Sequence, residues 1–153
     1  MTVVGPRLHE VPRNGAACPC DVVAGGSVSG GAIRVMHGEL IVEKLPAAWL
    51  LRLRGEHDVT TADTLDAQLE AVFRHGTNVV VDLSDAVFID SSIVGAIFRG
   101  VRRAHHDENG TLVVSAPPGS FGRRVFDQAG LSDAVPLFDN RRDALASLEV
   151  TVR

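Results

Sequence analysis

The segment Val79-Val80-Val81-Asp82-Leu83 leads through Ser84-Asp85-Ala86-Val87-Phe88-Ile89 into Asp90-Ser91-Ser92, placing a carboxylate and two hydroxyls where an apolar strand gives way to a helix. Asp90 reads as an N-cap. Its carboxylate can accept the backbone N–H of Ser92 or Ile93, and the apolar helical pattern begins immediately after it. Ser91 and Ser92 then fall in the first turn, where unpaired N–H groups and the helix dipole favour negative charge. A phosphate on Ser91 is compatible with that helix and adds about −1.5 to −2 charges to its surface. This is the chemistry of a switch, with Ser91 as the candidate phosphoacceptor.

Catalytic readings fit less well. Ser91 with Asp58 and one of His57, His105 or His106 has the composition of a hydrolytic triad. A nucleophile elbow, however, takes Gly-x-Ser-x-Gly, and the serine here sits in Ile89-Asp90-Ser91-Ser92-Ile93. The glycine cluster Gly25-Gly26-Ser27-Val28-Ser29-Gly30-Gly31 lacks the Lys-Ser/Thr of a phosphate-cradling loop, so any ATP belongs to a partner. Cys18 and Cys20 enclose Pro19; a bridge across one residue is strained and two thiols do not fill a tetrahedral zinc site. They read as reduced thiols. His105 and His106 are neighbours on a helix and point in different directions, which suits solvated cations rather than a shared metal. No catalytic residue, metal or cofactor is expected.

The elements that position Ser91 follow from patterning. The 153 residues are 45% hydrophobic and carry a formal charge of −4, enough for one cored domain and a poor match for nucleic acid. No run reaches the roughly 18 apolar residues of a membrane span, and the N-terminus has no continuous apolar signal segment, so membrane insertion is not expected and a cytoplasmic location is. Residues 1–33, with Pro6, Pro12 and Pro19, show no sustained period and read as a flexible extension before a domain over 34–153.

Within that domain, residues 39–44 and 49–54 predict an antiparallel hairpin at one edge of a sheet, with Trp49 packed in its core or edge. Residues 55–59 read as a loop. Thr60 with Asp63 resembles a capping box opening a helix over 61–75 that Gly76 stops. Residues 78–83 form a continuous apolar run, the mark of a strand buried on both faces of a parallel sheet. After Asp90, the residues Ile93, Val94, Ile97, Phe98 and Val101 make one helical face, and Arg102, Arg103, His105 and His106 gather near its end. A turn at 107–110, a strand at 111–115, a helix at 121–129 stopped by Gly130, a short strand at 135–138 and a helix at 141–148 capped by Asn140 complete the chain. The alternation is that of an α/β fold: a mixed, mostly parallel sheet with an edge hairpin and about four helices. Loops 55–60 and 84–91 share the rim at the carboxyl ends of the central strands.

Three segments together resemble the STAS domain, and within it the bacterial anti-sigma factor antagonists. Leu51-Arg52-Leu53-Arg54-Gly55-Glu56-His57-Asp58 resembles the family strand that ends in Gly-Glu-Leu-Asp, and Thr61-Ala62 resembles the start of the helix after it. Val80-Val81-Asp82-Leu83 through Phe88-Ile89-Asp90-Ser91-Ser92 resembles the strand and Asp-Ser-Ser signature. Phe126-Asp127-Gln128-Ala129-Gly130-Leu131 resembles the late helix ending in Gly-Leu.

The resemblance implies that Ser91 is phosphorylated by an ATP-binding anti-sigma factor kinase. The unphosphorylated form would bind that kinase and release a sigma factor, and phosphorylation would end the binding. Asp58, Asp90, Ser92 and Ile93 are the implied partner-binding positions. Two residues depart from the family pattern: Ile93 stands where Gly is usual and narrows the approach to Ser91, and His57 replaces an apolar residue. The alternative is a STAS subunit or adaptor of a membrane transport system, without phosphorylation. The sequence leaves a homodimer open.

Overall fold

The computed structural model describes residues 31–35, 37–74, 78–107 and 110–152. Strand β3 (Trp49–His57) is its spine, because it borders three other strands. On one side β2 (His37–Lys44) pairs with it antiparallel, matching Leu40 with Leu53 and Val42 with Leu51. On the other side two short strands share its length. The first, β4 (Val79–Asp82), lies parallel to Trp49–Arg52, and the second, β5 (Ala86–Ile89), lies parallel to Gly55–His57. Strands β6 (Leu112–Ser115) and β7 (Leu137–Phe138) continue the parallel half.

The predicted hairpin is present, but β2 is not the edge. Strand β1 (Gly31–Val35) pairs outside it, bringing Ile33 opposite Leu40 and into the core. Its signal in the sequence is weak, since glycines precede it and one residue separates it from β2. The rest of the expected extension, residues 1–30 with both cysteines, lies outside the described residues, as do His75, Gly76, Glu108 and Asn109.

Helices α1 (Val59–Phe73), α2 (Ser91–Asp107) and α3 (Phe121–Gln128) cover one face of the sheet, and α4 (Arg141–Val152) covers part of the other. Alternation along β3 divides its side chains between the two layers. Trp49, Leu51 and Leu53 join Leu65, Leu69, Ile93, Ile97 and Phe126, while Leu50 meets Ala144 and Leu148. Strand β4 is buried throughout, as its unbroken apolar run predicts. Its buried Asp82 accepts a 3.1 Å charge-assisted hydrogen bond from Arg141 Nε, tying α4 to the sheet. Asn140 caps α4 through Asp143 N–H at 2.8 Å, and Gly130 takes φ +73 just after α3.

The expected rim needs correction at both loops. Residues 55–57 are strand rather than loop, and α1 opens at Val59, two residues before the expected start. Asp58, not Thr60, is the cap: its Oδ1 accepts Thr60 N–H at 3.0 Å and the Thr60 hydroxyl at 2.7 Å, so the threonine is already satisfied inside the helix. The expected loop 84–91 contains β5. That strand was hidden because Val87 and Phe88 are both exposed, leaving no alternation to read. Gly55 makes the change of partner workable: at φ +88, beside a bulge in β3, it turns its N–H to Asp85 O at 3.1 Å.

Candidate functional site

Strands β3 and β5 end side by side, with His57 in register with Ile89. Each is followed at once by an aspartate and a helix: Asp58 opens α1 and Asp90 opens α2. Two helix N-termini therefore lie next to each other on one rim, as the sequence predicts for these loops.

At Asp90 the capping geometry distinguishes the two serines. Asp90 Oδ1 accepts Ser92 N–H at 2.9 Å and Ile93 N–H at 3.3 Å, and it also accepts the Ser92 hydroxyl. Ser92 is half-buried and committed to the cap. Ser91 is exposed, and among the described residues its Oγ has no hydrogen-bond partner. The structurally idle hydroxyl is that of Ser91, the expected phosphoacceptor.

Asp58 repeats this arrangement with Thr60, and those hydrogen bonds, the hydroxyl's first, hold its carboxyl below the usual aspartate range. Ile93, expected at the partner surface, is fully buried. Its side chain points away from the rim, because the third residue after the cap faces the sheet, so its substitution for Gly changes packing beneath Ser91 rather than the space in front of it.

His57 is also fully buried. Its Nε2 lies 2.8 Å from Arg54 O, an atom that only accepts, so Nε2 carries the proton and Nδ1 accepts the Thr61 hydroxyl at 3.3 Å. Burial lowers its pKa, outweighing the hydrogen bond to Arg54 and the charge of Asp58. A ring engaged at both nitrogens does not serve as a base for Ser91. His105 lies fourteen residues along α2 from Ser91, about 21 Å at 1.5 Å per residue. The three triad members are not brought together.

Sequence reading missed the apolar part of this rim. Among the described residues the exposed large hydrophobic side chains are Val59, Val87 and Phe88, at 60%, 66% and 41% exposure. Val59 follows Asp58 directly, and Val87 and Phe88 precede Asp90 by two or three residues. Phe88 rests on Phe121 of α3 with ring centroids 5.4 Å apart, and Arg124 lies over the other aromatic at 5.6 Å. Two consecutive apolar residues in a short strand were the available signal, since neighbours in a strand point to opposite faces.

A family model for the STAS domain matches residues 39–144. The chain belongs to the STAS domain family. Over 119 residues this STAS domain is 30% identical to a protein of Paenibacillus polymyxa named anti-sigma F factor antagonist, an alignment covering 75% of this chain and 98% of the relative. The crystal structure of an anti-sigma factor antagonist from Mycobacterium paratuberculosis superposes with a TM-score of 0.63 at 24% identity, covering 72% of this chain and 92% of that one. A sulfate transporter family protein from Wolinella succinogenes shares the fold at a TM-score of 0.56 and 18% identity, over 67% of this STAS domain and 85% of that chain. At these identities the two structures speak for the fold. Among the described residues no helix of this STAS domain is long and apolar enough to cross a membrane, and no cluster of three metal-ligating side chains forms.

Proposed function

We propose that this STAS domain is an anti-sigma factor antagonist whose partner docks on the Asp58–Ser91 rim and is released when Ser91 is phosphorylated. The observation that carries this reading is the idle, exposed Ser91 hydroxyl, with the exposed Val59, Val87 and Phe88 each within three residues of the Asp58 or Asp90 cap. Exposed apolar side chains on a rigid rim provide the desolvated centre of a contact, and the hydroxyl beside them provides its control point. The relationship to the Paenibacillus polymyxa protein supports the anti-sigma factor as partner. The bound ATP belongs to that partner, an anti-sigma factor with serine kinase activity.

The switch is electrostatic. A phosphate at Ser91 places about −1.5 to −2 charges beside Asp58 and Asp90, in a contact that must shed water to form. Turning a mostly bound population into a mostly free one takes on the order of 5.5 kcal/mol at fixed concentration. Like charges and a desolvated phosphate at an interface centre cost several kcal/mol, the right scale. The module itself stays folded, because the N-terminus of α2 accommodates negative charge.

The test is a binding titration of wild type, Ser91→Ala and Ser91→Asp against the ATP-binding anti-sigma factor of the native cell, with phosphosite mapping of the wild type. The expected result is wild-type affinity for Ser91→Ala, a loss of about tenfold or more for Ser91→Asp, and phosphate on Ser91. Equal affinity for the two variants would sink the switch. The likeness to the Wolinella succinogenes protein favours one other reading, an adaptor in a transport system. Capture of transporter subunits equally by all three proteins, with Ser91 unmodified, would establish it instead.

A further inference from the structure

The outer side of α2 carries a second feature, separate from the Ser91 rim and independent of the switch. From Phe98 to His106 the sequence is Phe-Arg-Gly-Val-Arg-Arg-Ala-His-His, with three arginines, two histidines and no acid, inside a chain whose formal charge is −4. Gly100 and Ala104 are buried against the rest of the fold. The remaining residues form two adjacent rows: Phe98, Val101, Arg102 and His105 at helical spacing, and Arg99, Arg103 and His106 beside them.

These rows form one wall of an open groove of about 820 Å³. Ala134, in the segment between α3 and β7, contributes to the lining from outside α2. Phe98 and Val101 are half-buried and packed on the core, giving the groove a fixed apolar floor. Arg99 is held by Asp66 at 2.7 Å. Arg102, Arg103, His105 and His106 have no ion pair or hydrogen bond among the described residues. Arginines near a helix C-terminus offset its dipole, which accounts for Arg102 and Arg103 on α2. The dipole does not call for an apolar floor between them or for a groove.

We infer that this groove docks an acidic amphipathic helix of another protein. Complementarity of charge selects the partner: among the described residues the lining presents three arginines and no carboxylate, so a segment with Asp or Glu flanking its apolar residues matches both the rim and the floor. The groove follows α2 for about 12 Å at 1.5 Å per residue, the length over which a helix presents anchors at i, i+3 and i+7. A lipid surface fits less well, because the apolar residues form a floor and do not project. Nucleic acid fits less well, because a phosphate backbone has no apolar row to set against Phe98 and Val101.

The experiment uses the full chain, isotope-labelled for amide NMR, and a synthetic helical peptide with leucines at i, i+3 and i+7 and glutamates around them. The peptide should shift the amides of residues 98–106 and Ala134. Its affinity should fall about tenfold in Arg102→Glu/Arg103→Glu, and it should weaken when salt rises from about 0.05 M to about 0.5 M. Both substituted residues lie on the outer side of α2, and an unchanged melting temperature of the double variant verifies its fold. A scrambled peptide of equal composition, phosphatidylglycerol vesicles and a single-stranded oligonucleotide are run in parallel. The inference is overturned if the peptide leaves residues 98–106 unshifted, if the scrambled peptide binds as well, or if vesicles or the oligonucleotide occupy the same residues more tightly.

Discussion

His57 Nε2 donates a 2.8 Å hydrogen bond to the carbonyl oxygen of Arg54, three residues back along the same strand. Gly38 of the neighbouring strand lies against this hydrogen bond: a Cβ there would collide first with Arg54 O and would stand 2.9 Å from both His57 Nε2 and Glu56 O. A titratable side chain is thereby sealed directly beneath the rim that carries Asp58 and Ser91. It sits where the family resemblance leads one to expect an apolar residue.

That burial sets a pH dependence. Desolvation lowers the folded-state pKa of His57 below its ordinary value of 6.5. Below that pH the unfolded chain takes up a proton that the folded chain does not, so this contribution to stability is complete above about pH 6.5 and declines as pH falls toward the folded pKa. Urea midpoints between about pH 7.5 and pH 5 should decrease for wild type, and the decrease should be smaller for His57→Leu. Parallel curves for the two proteins would show that His57 does not carry the effect. Asp58, whose pKa is also lowered, acts in a separate window below its ordinary 3.8.

The cap at α2 predicts an order of stabilities. Asp90→Ala removes the acceptor of two backbone N–H groups and a hydroxyl, and should cost about 1 to 2 kcal/mol. Ser92→Ala removes only the hydroxyl contact and should cost about 0.5 to 1 kcal/mol. Ser91→Ala should leave stability within about 0.5 kcal/mol of wild type. Chemical denaturation ranks the three, and a Ser91→Ala loss as large as that of Ser92→Ala would contradict the idle hydroxyl.

Ile93 provides a test of packing against access. Ile93→Ala removes a fully buried side chain and should destabilise by about 2 to 5 kcal/mol. Ile93→Gly adds about 1 kcal/mol of helix propensity to that loss. Faster phosphorylation of Ser91 in Ile93→Ala at unchanged stability would restore the view that the isoleucine obstructs the approach.

The exposed apolar residues should matter for binding far more than for folding. Val59→Ser and Val87→Ser are expected to weaken the proposed anti-sigma factor complex by about tenfold while moving stability by no more than about 0.5 kcal/mol. Phe88→Ser should weaken binding similarly and in addition lose about 0.5 to 1.5 kcal/mol from its contact with Phe121. Calorimetric titration beside thermal melts separates the two effects. Unchanged affinity in all three variants would remove this rim from the partner surface.

Much of this architecture is written in local pattern. The apolar run at Val79–Asp82, the helical face from Ile93 to Val101, the Asp90 cap and the glycine after α3 depend on neighbours within a few residues. A hydrogen bond between Asp90 and Ser92, or a stripe repeating every third or fourth position, is therefore visible in the sequence. So was the placement of Asp58 and Ser91 on one rim, which follows from strand and helix alternating.

The tertiary structure decided what depends on distant partners. Strand β5 exists because Gly55 lets β3 change neighbours, and β1 is held by β2. The buried His57 ring and the Arg54 carbonyl that it binds both lie against Gly38, nineteen residues before His57, where a Cβ would not fit. Ile93 faces inward, Val59 and Phe88 stay exposed, and Phe98 becomes the floor of a groove lined by arginines, although all four are apolar residues. Burial belongs to the packed whole: the same side chain is core or contact surface according to which element lies across from it, and sequence neighbours do not carry that information.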